Sequence, residues 1–176
     1  RDAVLSLAET HPFARRLVNS GRLSTATTLA DSPLATPDSD AFAGAMVPGA
    51  AAADAPVTVD GDRDWFLRHV GGRFVALHFA DGADALEMPT FGKSAPAREQ
   101  AANRLTRIDP LLVAKPSSDA ARGKGALVDA EGMLAARYDA QPGTTYLLRP
   151  DQHVCARWRQ PSEQAVRAAM NKALAC

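Results

Sequence analysis

TYLLRPDQHVCARW, from Thr145 to Trp158, is two apolar strand patterns folded around Arg149-Pro150-Asp151-Gln152. Pro150 presets the φ needed at the second position of a type I turn and Asp151 suits the third, so the stretch predicts a β-hairpin. Tyr146, Leu148, Val154, Ala156 and Trp158 supply the alternating side chains that pack one or both faces of such a hairpin.

Upstream, FVALHF lies within a strand predicted over Arg73 to Ala80 and buried on both faces. Val57 to Val59 predicts a short strand, Arg63 to Val70 a short helix stopped by Gly71-Gly72, and Ala95 to Arg107 a helix. Leu111 to Lys115 and Ala126 to Asp129 predict further strands, the latter ending at a turn through Gly132. After the hairpin, Ser162 caps a last helix whose Val166, Ala169, Met170, Ala173 and Leu174 share one face. Strands alternating with helices, then a hairpin and a helix, imply an α/β fold: a mixed sheet with helices on both faces, in the order that thioredoxin-like and peroxiredoxin folds use.

Ahead of this unit, residues 2–18 have helical spacing broken at His11-Pro12, and Ser20 to Pro56 is rich in Ala, Ser, Thr, Asp, Gly and Pro. The expected organisation is therefore a helical and extended connector over residues 1–56 and a thioredoxin-like domain over residues 57–176. Leu5, Phe13, Leu17, Val18 and Phe42 are the connector's apolar anchors, and Phe13 and Leu17 are expected to be buried against the domain or a second copy. The chain opens on Arg1 without a Met or a preamble, which reads as a piece of a longer polypeptide.

Twenty basic residues balance twenty acidic ones with no basic cluster, so neither nucleic acid nor a membrane surface is an expected partner. No apolar run approaches a membrane span and no signal core follows the N-terminus, so the cytoplasm is the expected compartment. Two cysteines, Cys155 and Cys176, make neither a disulfide framework nor a zinc site.

A thioredoxin-type redox centre needs an activated thiolate after the central strand. That place reads ADGADALEM, Ala80 to Met88, and Thr144 stands where the fold usually has its cis-proline. Cys155 reads as a small apolar strand residue. His11, His69, His78 and His153 are scattered, and His78, on the central strand, reads as a hydrogen-bonded core residue. Arg122-Gly123-Lys124-Gly125 lacks phosphate-loop spacing, Asp81 and Asp84 read as a solvated loop, and Trp65 and Trp158 as core or interdomain packing. No residue emerges as catalytic, cofactor-binding or metal-binding.

The hairpin, the preceding RYDAQPG (Arg137 to Gly143) and the upstream HPFARRLVNSGRLSTATTLADSPLATPD (His11 to Asp38) together resemble the C-terminal end of FAD-dependent aromatic-ring hydroxylases. Within these, the likeness is to the phenol 2-monooxygenase and 3-(3-hydroxyphenyl)propionate hydroxylase group. The resemblance implies a parent with FAD, NAD(P)H and the catalytic residues upstream of Arg1, and a C-terminal domain that packs on the catalytic part or mediates homo-oligomerisation. Family members often carry glycine where Gln152 stands, and no G-x-G-x-x-G fingerprint occurs here. A thiol oxidoreductase or peroxidase on the same fold and a stand-alone interaction module are the alternatives.

Overall fold

The computed structural model describes residues 2–19, 26–81, 107–123 and 125–175. Two helices open it, α1 (Asp2–Thr10) and α2 (Pro12–Asn19). The break falls at the predicted place, with Pro12 at the first helical position, where its missing N–H costs nothing.

A seven-stranded sheet then forms from β1 (Pro56–Val59), β2 (Asp62–Trp65), β3 (Phe74–Ala80), β4 (Ile108–Ala114), β5 (Leu127–Val128), β6 (Thr145–Leu148) and β7 (Val154–Trp158). Its order is β2-β1-β5-β4-β3-β6-β7. The central β3 pairs parallel with β4 and antiparallel with β6, and every one of its residues is buried. Helices α3 (Met133–Arg137) and α4 (Glu163–Ala173) belong to opposite faces. This is the thioredoxin-like α/β arrangement predicted from element order.

On the α3 face, Phe66, Leu77, Leu134, Tyr138, Tyr146 and Leu148 form the main core. Tyr138 and Tyr146 meet edge to face at 5.0 Å, and both hydroxyls are spent: Tyr138 donates to the Ala53 carbonyl and Tyr146 to the Tyr138 carbonyl. On the other face, Phe74, Leu147, Trp158, Val166 and Met170 pack beneath α4, whose Ser162 accepts the Ala165 N–H as predicted.

Two local expectations are corrected. The helix predicted over Arg63 to Val70 is instead the end of a β1–β2 hairpin followed by a single 3₁₀ turn, Phe66–His69. The hairpin turns at Asp60-Gly61, both with positive φ, the dipeptide that a tight primed turn selects. Trp65 therefore ends a strand and is 48% exposed, whereas Phe66 is fully buried. The turn through Gly132 continues into α3, because the Asp129 carboxylate accepts the N–H groups of Leu134 and Ala135 and so caps its first turn. Phe13 is 54% exposed on the single chain, so of the two surfaces expected to cover it, the domain does not. The helix predicted over 95–107 falls, apart from Arg107, outside the described residues, as do the side chains of Leu5, Leu17 and Val18.

The 149–152 turn is closed by a bond from Gln152 N–H to the Arg149 carbonyl at 2.9 Å, and Gln152 itself sits at φ 63. A left-handed residue other than glycine costs about 1–2 kcal/mol. The offset is visible: Gln152 Nε2 donates to the Leu67 and Val70 carbonyls, tying the hairpin to the 3₁₀ turn. Gln152→Gly should therefore be nearly neutral, exchanging two bonds for relief of strain. Gln152→Ala keeps the strain and loses both bonds, and should cost about 2 kcal/mol in a denaturant titration. Equal stabilities for the two variants would contradict this account.

Candidate functional site

Polar groups gather at several places among the described residues, and two of them bear on what the fold can do. The first is the crevice at the C-terminal ends of β3 and β4, where the thioredoxin fold carries its redox centre. It is a cleft of about 240 Å³, walled by Phe79, Val113, Ala114, Ala135, Ala140 and Pro142. Asp129 reaches it, already spent on the first turn of α3. At its edge Lys115 Nζ lies 2.6 Å from Asp81 Oδ2. Of the ADGADALEM stretch only Ala80 and Asp81 are described, so Asp84 lies outside. Thr144 is fully buried; its hydroxyl accepts the Gln141 N–H and its carbonyl the Phe79 N–H, which fixes the loop beside the cleft.

His78 lies on β3, 2.8 Å from the Thr145 hydroxyl through Nδ1, and burial lowers its pKa. It is thus a hydrogen-bonded sheet histidine that stays neutral near pH 7. His69 faces Asp64 and His153 lies by Asp151, each beside its own aspartate. Among the described residues no three His, Cys, Asp or Glu side chains converge on a metal-sized site. Lys124 and Cys176 fall outside the described residues.

Cys155 lies on β7, fully buried, and burial pushes its thiol up to about 11. Its Sγ points toward the Ala169 carbonyl at 3.5 Å. A thiol in this setting is protonated at neutral pH and shielded from reagents. In a Cys176→Ser chain, a chromogenic disulfide reagent should find no fast-reacting thiol at pH 7 until denaturant is added. A stoichiometric burst from the folded chain would contradict that placement.

The second place is where the connector meets the sheet. From Thr36 to Ala52 the chain runs along the outer edge of β7 and its hairpin turn. Thr36 N–H donates to the Cys155 carbonyl, Gly49 N–H to Val154, Val154 N–H to Ala50 and Ala52 N–H to Gln152. Gly49 is required: at φ 89, a Cβ there would come within 2.2 Å of the Leu29 carbonyl oxygen. The outer edge of β7 is thereby paired, and the opposite edge is blunted. On β2, Asp64 Oδ1 accepts the Trp65 N–H at 2.8 Å, occupying a group that a further strand would use.

The clasp between connector and sheet is built from two arginines and one ring. Arg157, 3% exposed, grips Asp38 with Nε at 2.9 Å and Nη2 at 2.7 Å, and donates Nη1 to the Met46 carbonyl. Arg159 donates its backbone N–H to Asp40, and its guanidinium to Asp139 and the Ala41 carbonyl. The Phe42 ring lies 4.5 Å from the Arg157 guanidinium carbon and 3.9 Å from that of Arg159, and meets Tyr146 edge on. Asp139 also accepts the Ala43 N–H. That bond first, and Arg159 second, hold its carboxyl below the usual range. Phe42 is legible in the sequence as an anchor, whereas the roles of Arg157 and Arg159 are not, because their partners Asp38 and Asp40 lie some 119 residues away.

No protein-family model and no curated protein matches this sequence. Solved structures do. The flavin-dependent monooxygenase PieE, solved in complex with FAD and substrate, matches over 93% of this chain with a TM-score of 0.58 and 17% identity. Aklavinone-11 hydroxylase, solved with FAD and aklavinone, matches over 82% with a TM-score of 0.59 and 19% identity. RebC-10x, in native and K252c-bound form, matches over 92% at 0.51 and 20%. The chain spans only 28%, 26% and 27% of those three proteins. At such identities the likeness establishes a shared fold. Among the described residues, no helix is long and apolar enough to cross a membrane.

Proposed function

We propose that this chain is the C-terminal thioredoxin-like domain, with its connector, of an FAD-dependent monooxygenase that hydroxylates an aromatic ring with NAD(P)H and dioxygen. Its own work is structural: it packs on the catalytic part of its parent or joins two copies of it, in the cytoplasm. What supports the reading is that the likeness to PieE, at 93% of the chain, extends beyond what residues 57–176 alone could supply. It runs through the connector as well as the sheet. The division at residue 56, the homo-oligomer and the phenol or hydroxyphenylpropionate class of substrate are parts of the same proposal.

The helix N-termini that flank the sheet, those of α3 and α4, do not fit a flavin dinucleotide. A pyrophosphate binds free N–H groups at a helix N-terminus. Those of Leu134 and Ala135 at the start of α3 are held by the Asp129 carboxylate, itself an anion, and the first turn of α4 is capped by Ser162. FAD and the chemistry it supplies would accordingly be held by the catalytic part of the parent. A thiol oxidoreductase on this fold is disfavoured by the depth and raised pKa of Cys155.

The test has two parts. The isolated chain, mixed with FAD and passed over a desalting column, should emerge colourless. The gene should continue upstream of the Arg1 codon, in frame, into a segment encoding a G-x-G-x-x-G turn after a strand. Stoichiometric yellow protein, or a start codon immediately before Arg1, would overturn the reading.

A further inference from the structure

The cleft at the ends of β3 and β4 has no part in the structural role proposed above, yet it has the makings of a small-molecule site. Open α/β sheets take ligands in the crevice outside the carboxyl ends of their strands. Here that crevice is walled by Phe79, Val113, Ala114 and Pro142, with Ala135 and Ala140 on the α3 side. Its volume of about 240 Å³ falls short of the clefts that hold drug-sized molecules, roughly 300–1,000 Å³, so the occupant has one or two rings. The short side chains at 114, 135 and 140 leave the space open.

The charges then narrow the chemistry. Among the described residues, Asp81 and Asp129 place two carboxylates at the cleft against the single ammonium of Lys115, which is already drawn to Asp81 at 2.6 Å. A surplus of negative charge opposes an anionic ligand. Among the described residues only Lys115 meets the carboxylate of Asp81, on Oδ2, and Oδ1 is the oxygen that would accept a ligand's hydrogen bond. We infer that the crevice between β3, β4 and α3 binds a neutral, planar, apolar one- or two-ring molecule that presents a single N–H or O–H donor to Asp81.

The test titrates the intact chain with indole and follows backbone amide resonances by NMR, with indole-2-carboxylate as the charged counterpart. Indole should give saturable shifts at Val113, Ala114, Lys115, Ala140 and Gln141, and the carboxylate should bind about tenfold more weakly. Ala140→Phe should fill the cleft and abolish the indole shifts. Because a bulky residue there could disturb α3, the surface variant Asp81→Ala serves as a second probe. It should leave the spectrum folded and weaken indole about tenfold. The proposal is overturned if indole gives no saturable shifts at millimolar concentration, if the carboxylate binds as well as indole, or if Asp81→Ala folds normally and binds unchanged.

Discussion

Asp38→Ala should lower the melting temperature by about 10 °C, the larger of the single-residue effects expected in this chain. Asp38 is itself 30% exposed at its side chain, so the loss does not come from its own burial. It comes from Arg157, at 3%, which would keep its charge in the protein interior without its bidentate carboxylate, left with the Met46 carbonyl, the Tyr146 hydroxyl and the Phe42 ring. Removing one partner of such a pair typically costs about 3 kcal/mol, whereas replacing the charged residue by an apolar one of similar volume costs far less. Arg157→Met should therefore be milder than Asp38→Ala. Adding Asp38→Ala to Arg157→Met should cost almost nothing more, a coupling that a double-mutant cycle measures directly. If the two single losses simply add, the clasp is not the unit described.

A chain beginning at Ala52 should show the largest effect of all. Every strand and α4 remain, so the sheet should still form. However, Arg157 and Arg159 lose Asp38, Asp40 and the Phe42 ring, and Tyr146 loses an aromatic neighbour. The outer edge of β7 loses the bonds that Thr36 and Gly49 donate to it and the one that Val154 donates to the Ala50 carbonyl. A fall of more than about 10 °C is expected, together with concentration-dependent association through the bared β7 edge. Sedimentation and thermal melts check both. An unchanged melting temperature would mean that the connector is passive and the clasp contributes nothing.

What could be read from the sequence was what local chemistry writes down. The FVALHF run, the Arg149–Gln152 turn and the Ser162 cap each carry their own signal in period, turn residue or cap. The β2 strand was missed because Asp62-Arg63-Asp64-Trp65 has no apolar alternation. It pairs because the Asp60-Gly61 turn folds it onto β1, and that dipeptide was the available clue. Helix α3 is five residues long, too short for a periodic pattern, and begins only because Asp129 caps it. The clasp was illegible for a different reason. Arg157 and Arg159 look like the polar positions of an ordinary strand until the fold brings Asp38, Asp40 and Phe42 across from the other end of the chain. The cleft was half legible: its place followed from the fold, while its apolar walls come from four separate parts of the chain.

The stapling of Thr36 to Pro56 also has a mechanical consequence. A free segment of that length would let its ends wander over about 25 Å, and anything tied to it would have to search that volume at every encounter. Held by Asp38, Asp40, Ala41, Gly49 and Ala50, the segment has no slack to give. It acts as a splint, not a tether. A pull applied at Thr36 is delivered sideways to β7, where several hydrogen bonds must shear together, instead of being absorbed by an uncoiling chain.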